Sequence, residues 1–389
     1  MKLAERMERL GTETAFEILA RARQLEAEGR SVVHLEIGEP DFDTPANIVK
    51  AGADALQAGW THYGPSPGLP ELRETIAAEI RKTRGIPCEA DNIVVVPGGK
   101  PIMFFLMLAL LEEGTEAVYP NPGFPIYESM INYCGAKAVA APLREENAFN
   151  LDIAELETLL NDRTRLLILN SPGNPCGNVL SKDEIAKIAE ILRGYPDCWI
   201  MSDEIYSRIL YGEEHHSIGV HEDLRERLVI LDGFSKTFAM TGWRLGYGVM
   251  SPEMATHIAR LQTNSTSCTA AFTQMAGVEA LTGPQDAVEA MVQEFKRRRD
   301  VIVEGLNAIP GISCTTPKGA FYVFPNFKEL GPKSKQLEQI FLEECGVACL
   351  TGTSFGEHGE GYIRFSYANS VENIEEALKR IAERVRTGF

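Results

Sequence analysis

Between about residues 90 and 250 the chain alternates short apolar runs with longer amphipathic stretches. That alternation restricts it to folds made of βαβ units, in which helices cover a mostly parallel sheet. Residues 93–96 (Ile-Val-Val-Val) form one such run, followed at once by Pro97-Gly98-Gly99 and a helical stretch over 100–111. Residues 117–119, 166–169, 199–201, 228–231 and 245–250 read as further strands, and Gly114, Gly135 and Gly194 stand where helix C-caps are expected. Past about residue 285 the order changes to a long charged helix (286–307), short strands near Ile312 and over 321–324, a helix over 337–345 and a last helix over 371–386. This reads as a smaller α+β unit. A helix over 14–28 and a strand over 32–35 precede the alternating region and could pack with either part.

Charge narrows the partners. Of 389 residues, 38 are Lys or Arg and 55 are Asp or Glu, a formal charge of -17 that repels phosphate backbones and anionic membranes. Neither nucleic acid nor membrane is expected as a partner. A chain of this length buries most of its apolar surface without staples. Its eight cysteines form no Cys-x-x-Cys pair, and no His cluster has zinc spacing. They read as mostly buried thiols in a reducing compartment, with no metal expected. The first ten residues lack the apolar core of a signal peptide, and no stretch reaches the roughly 20 apolar residues of a membrane span. A cytoplasmic protein is expected.

The residues that carry chemistry stand where strands end. Asn170-Ser171-Pro172-Gly173-Asn174-Pro175 follows one apolar run, Ser202-Asp203-Glu204-Ile205-Tyr206 the next, and Phe234-Ser235-Lys236-Thr237 the one after. In an open α/β sheet the carboxyl ends of the strands line the ligand crevice. An amide (Asn174), a carboxylate (Asp203), a phenol (Tyr206) and an amine (Lys236) are thereby delivered to one edge. Burial lowers an amine's pKa and makes it a usable nucleophile. Pyridoxal 5'-phosphate needs that set: an amine for its aldehyde, a carboxylate to keep its ring nitrogen protonated, and hydrogen-bond donors to its ring oxygen. Taken singly, Asn174 is also a turn residue, Asp203 a helix cap and Tyr206 a core side chain; the order and combination carry the reading. Separately, Gly98-Gly99-Lys100 opens a helix directly after a strand, where free N–H groups and the helix dipole favour an anion such as phosphate. It is not a Walker loop, and no Gly-x-Gly-x-x-Gly follows a strand, which argues against a dinucleotide enzyme.

Together these blocks resemble fold type I pyridoxal-phosphate enzymes of the class I and II aminotransferase family, in particular its bacterial aspartate aminotransferases. The resemblance runs from Gly38-Glu39-Pro40-Asp41-Phe42 through Tyr63-Gly64-Pro65-Ser66-Pro67-Gly68 and the strand-end blocks to Thr241-Gly242-Trp243-Arg244-Leu245-Gly246 and Tyr362-Ile363-Arg364-Phe365. It implies an α/β, three-layer fold: a mostly parallel central sheet in a large cofactor domain (45–285) and a smaller α+β domain built from both chain ends (1–44 and 286–389). It also implies a homodimer in which Tyr63 reaches the neighbouring subunit's phosphate site, and phosphate contacts from Gly99, Ser235 and Arg244. Phe124 aligns with the aromatic residue that stacks on the cofactor ring. Arg364 aligns with the grip on the substrate α-carboxylate, aided by Asn174 and the backbone of Gly38; a planar guanidinium holds a carboxylate by two parallel hydrogen bonds, which Lys cannot copy. Lys236 would hold the cofactor as an imine and, once displaced, shuttle a proton. The implied reaction moves an amino group between an L-amino acid and a 2-oxo acid.

Two assignments stay open. Lys100 is a cation at a helix N-terminus, where the dipole favours negative charge, so it serves either the cofactor phosphate or an anionic substrate side chain. Resemblance to relatives with Gly-Gly-Lys or Gly-Ser-Lys at this place favours the second use, and hence aspartate or glutamate with 2-oxoglutarate as acceptor. The shared residues do not fix the reaction type, which leaves β-elimination in a C–S lyase, or transfer from aromatic and neutral amino acids, as alternatives. A non-catalytic cofactor-binding regulator of DNA is disfavoured by the acidic charge. His215 and His216, which follow Glu213 and Glu214, are expected on the solvated surface, and 296–299 as the wet face of a helix.

Overall fold

The computed structural model describes residues 2–389. Twelve strands are defined among them: β1 (Val33–His34), β2 (Ile93–Val96), β3 (Glu116–Asn121), β4 (Lys137–Pro142), β5 (Thr164–Asn170), β6 (Trp199–Asp203), β7 (Leu228–Gly233), β8 (Gly246–Val249), β9 (Tyr322–Val323), β10 (Val347–Ala348), β11 (Leu350–Thr351) and β12 (Ile363–Ser366). Seven form one sheet in the order β2-β8-β7-β6-β5-β3-β4. The strands from β7 to β4 are parallel, and β8 runs antiparallel between β2 and β7. Both faces are covered by helices, so β2, β3, β7 and β8 are buried along their whole length. That burial is why their sequences are continuous apolar runs rather than alternating ones. The expected α/β fold with a mostly parallel central sheet is what the chain adopts.

Local chemistry sets the helices. Lys182–Arg193 begins at Ser181, whose hydroxyl accepts from Glu184 N while the Glu184 carboxylate accepts from Ser181 N, two orphan donors satisfied reciprocally. Its Ile185, Ile188, Ala189 and Leu192 then fall on one buried face. Two apolar cores flank the sheet. A third gathers Val33, Phe295, Phe321, Phe341, Tyr367 and Ile374 around the helices Asp286–Asn307 and Val371–Thr387, with β1 paired to β10 and β12 between β11 and β9. The first long helix, Ala15–Ala27, packs Ala22 and Leu25 on Leu342 and Ala348. All eight cysteines are free, and five of them are buried. No helix among the described residues is long and apolar enough to cross a membrane.

Several local expectations need correction. β4 was not foreseen; its Lys-Ala-Val-Ala-Ala-Pro has one β-branched residue, and as the sheet's edge it is only half covered. No strand forms at Ile312, where Pro310, Gly311 and Pro317 leave room for one bridge between Ser313 and Asn326. Gly114 lies beyond the cap residue Leu111 rather than at the helix end. Residues 296–299 are not one wet face, because four successive helical positions turn through most of a circle. Lys296 and Arg297 are exposed. Arg298, in contrast, is buried against Asp41 Oδ1 at 2.7 Å and the Phe42 ring at 4.9 Å, and Arg299 lies 4.8 Å over the Tyr211 ring.

Behind the sheet edge a buried ionic cluster ties one helix to two strands. The helix Pro70–Arg84 stops at Gly85, whose φ of 65° is left-handed and suits a residue without a Cβ. Its last residue, Arg84, donates to Glu204 Oε2 at 3.1 Å just past β6, to Ser207 Oγ at 2.8 Å, and to Asp232 Oδ2 on β7. Burial works against the cation, but the two carboxylates carry its pKa above the ordinary value. Removing one partner of such a cluster leaves uncompensated buried charge. Arg84→Met is therefore expected to lower unfolding stability by about 3–5 kcal/mol, read from urea titration, with Arg84→Lys in between because it keeps the charge without the fork.

Candidate active site

The carboxyl ends of β5, β6 and β7 and the loops after β2 and β3 open on a cavity of about 880 Å³. β8 starts at this edge: Gly246 registers opposite both Val96 and Gly233. Arg244, just ahead of it, is thereby set against the loop after β2. A methyl group at Gly98, whose φ is 82°, would overlap the Arg244 guanidinium, and one at Gly246 would overlap the Gly99 backbone. Only glycines allow this approach. Gly99 caps the helix Lys100–Leu110, and its free N–H groups, with Ser235 and Arg244 on the same wall, form a cradle suited to a phosphate.

Across the cavity lie the titratable groups. Lys236 is partly buried, and its Nζ donates to Gly38 O. Burial, with help from nearby Arg364 and Lys100, lowers its pKa to about 8. Asp203 at the end of β6 is 4% exposed. Its Oδ2 accepts from Tyr127 OH at 2.6 Å and its Oδ1 from Ile205 N at 3.3 Å. Burial raises it to about 6, opposed by those hydrogen bonds. No ion pair to Asp203 is present among the described residues, so this buried carboxylate faces the cavity without a cation, as a carboxylate meant for a protonated ring nitrogen would. Asn174 is held by Asn170 Oδ1, which accepts from Asn174 N at 2.9 Å. The Tyr206 hydroxyl lies 2.8 Å from that of Tyr322.

Arg364 on β12 is also buried. Its Nη2 donates to Glu36 O and its Nη1 to Asn174 Oδ1 at 3.2 Å, while its buried Nε has no partner. The rings of Tyr322 and Phe355 lie 4.5 and 4.9 Å from its guanidinium. Phe124 presents its ring edge-on to Tyr127 at 5.7 Å. Lys100 pairs with Glu13 and lies 5.6 Å over the Phe124 ring.

Every site residue singled out from the sequence lines this cavity except Tyr63, which is 89% exposed on the surface of the single chain. Sequence reasoning missed Tyr127, Tyr322, Asn170 and Glu13. Tyr127 had a faint signal, as the second residue of the helix that follows the Phe124 block, and Asn170 opens the block that carries Asn174, four residues on; Tyr322 and Glu13 are joined to the site only by long-range packing. His215 is a correction. Its loop folds back over the end of β6, where Nε2 lies 2.8 Å from Glu204 Oε2 and the side chain is 10% exposed. Glu204 needs that partner. Although burial pushes its carboxyl up, His215, Arg84 and Ser217 hold it down at about 2.

Comparison with known proteins agrees with this geometry. The family model "Aminotransferase class I and II" matches residues 30–381. The chain is 40% identical over 381 residues to an aspartate aminotransferase of Pyrococcus horikoshii, covering 97% of this chain and 96% of that one. It is 37% identical over 385 residues to aromatic-amino-acid aminotransferase 2 of Thermococcus litoralis, covering 98% and 97%. The solved structure of the aspartate aminotransferase from Rhizobium meliloti superposes with a TM-score of 0.96 at 35% identity over the whole of both chains.

The Lys236 amine gives a direct test of the site's electrostatics. In cofactor-free protein, acetylation of Lys236 followed by peptide mass spectrometry is expected to reach half its limiting rate near pH 8, since below that pH the amine is protonated and unreactive. A solvated lysine would do so near ~10.4.

Proposed function

The chain belongs to the class I and II aminotransferase family, and from that premise we propose that it moves the amino group of aspartate or glutamate to a 2-oxo acid such as 2-oxoglutarate, with pyridoxal 5'-phosphate as cofactor. The observation that carries this reading is one cavity holding an amine lowered to about 8, a buried carboxylate without a cation, and a buried guanidinium with a free N–H. When bound, the cofactor supplies an electron-withdrawing ring conjugated to the substrate's α-carbon. Asp203 keeps the ring nitrogen protonated, and Tyr127 holds that carboxylate in the ionised form. Gly99, Ser235 and Arg244 bind the phosphate, Phe124 covers the ring, and Asn174 and Tyr206 hydrogen-bond its oxygen. Lys236 would hold the cofactor through its amine and, when that amine is free, would take up and return the proton of the substrate's α-carbon as general base and acid. Arg364 and Gly38 would fix the α-carboxylate and so orient the α-carbon toward Lys236. The same residues then run in reverse with the 2-oxo acid, a ping-pong cycle.

In this reading residues 45–285 form the cofactor domain, and 1–44 with 286–389 the smaller one; the seven-stranded sheet lies wholly within the first. The protein acts in the cytoplasm as a homodimer, whose partner supplies Tyr63 to the phosphate. A second reading, transfer from aromatic amino acids, is favoured by one observation: Lys100 is already engaged by Glu13.

Mixing the purified protein with each amino acid and no acceptor, while following the cofactor's absorbance, tests the function. Acidic amino acids are expected to convert it fastest, and borohydride is expected to attach the cofactor to the peptide containing Lys236; an adduct on another lysine would overturn the assignment. Arg364→Lys is expected to cost about 2–5 kcal/mol in kcat/KM for acidic and non-acidic substrates alike, because all share the α-carboxylate. Subunit exchange between inactive Tyr63 and Lys236 variants is expected to restore partial activity, and no recovery would mean self-contained sites.

A further inference from the structure

The segment ahead of the helix Ala15–Ala27 borders the cavity. Gly11 O accepts from Ser129 Oγ at 3.1 Å, and Thr14 Oγ1 lies 2.7 Å from Ser354 Oγ. Between these two ties Glu13 lines the cavity, its side chain 20% exposed, and its carboxylate meets the half-exposed ammonium of Lys100. Its charge is also felt at Arg364 and Lys236. One of the chain's own carboxylates thus stands beside cations that a substrate's carboxylates would use.

We propose that Glu13 is a specificity-determining residue: it holds Lys100 while the substrate side chain is neutral or aromatic, and yields Lys100 to the side-chain carboxylate of an acidic amino acid. This rests on the reading of the cavity as an amino-acid site with Arg364 on the α-carboxylate. An ion pair this exposed is weak, so replacing one carboxylate by another on the same ammonium is close to balanced. Holding both is disfavoured, because two carboxylates on one ammonium repel each other and leave a net negative charge, and Glu13 belongs to a segment whose earlier part, Glu5–Arg9, buries no side chain. With a neutral side chain in the site, Glu13 spares it contact with a bare ammonium. Glu13 therefore competes with acidic ligands and not with apolar ones, a repulsive element that sets the ratio between two substrate classes.

Calorimetry on the cofactor-loaded protein can compare maleate, a four-carbon dicarboxylate, with 3-phenylpropionate, a monocarboxylate with an aromatic end. Glu13→Gln is expected to raise the preference for maleate by about three- to tenfold, and the kcat/KM ratio of aspartate to phenylalanine by a similar factor. Glu17→Gln, which removes an exposed charge from the first turn of the helix that follows, is expected to leave both ratios within about twofold. Ratios that stay fixed or fall in Glu13→Gln, or that rise equally in Glu17→Gln, overturn the proposal. Failure of the underlying reading has a different signature: wild-type protein binds neither acid, or Arg364→Lys binds both as tightly as wild type.

Discussion

The cavity depends on an ionic clamp that faces away from it. Successive side chains on a strand point to opposite faces, and this alternation at the end of β6 sends Asp203 to the cavity and Glu204 to the cluster behind. There Arg84, His215, Ser202 and Ser217 surround Glu204, while Arg84 also holds Asp232 on the neighbouring strand. Three carboxylates so close would each raise the others' pKa. Glu204 and Asp232 already act on Asp203 in that direction. Burial accounts for most of the rise and the two rear carboxylates add to it, while the hydrogen bonds from Tyr127 and Ile205 oppose it; the balance stands at about 6, and Asp203 remains a carboxylate at neutral pH. The charges behind the sheet thus reach the front face, as the smaller part of what sets Asp203.

The strand ends were legible because burial on both faces writes a strand as an unbroken apolar run, and the polar block that breaks the run marks the end that faces the crevice. Asn174, Asp203 and Lys236 could be read that way. β4 could not, since an edge strand of alanines carries no such run. Tyr127 and Tyr322 touch Asp203 and Tyr206 across 76 and 116 residues, separations that no local pattern encodes. His215 and Arg298 were misread for a common reason. A charged or polar run suggests water, yet each of these side chains has a partner outside its run, Glu204 eleven residues back for His215 and Asp41 from the far end of the chain for Arg298, and pairing permits burial.

Charge is also distributed unevenly between the surface and the site. A chain with a formal charge of -17 repels anions at a distance, yet Lys100, Lys236, Arg244 and Arg364 all line one cavity. A concave, low-dielectric site focuses the field of its own groups, so an anionic ligand meets repulsion outside and attraction within. Cations gathered this tightly repel one another, and part of the fall in the Lys236 pKa comes from Arg364 and Lys100. Glu13, Glu39 and Asp41 line the same cavity. Partial neutralisation at its border keeps the cations together without filling the anion sites permanently, which a fully buried carboxylate would do. Where such a pair is exposed to water, its hold is weak enough to be exchanged for a ligand's.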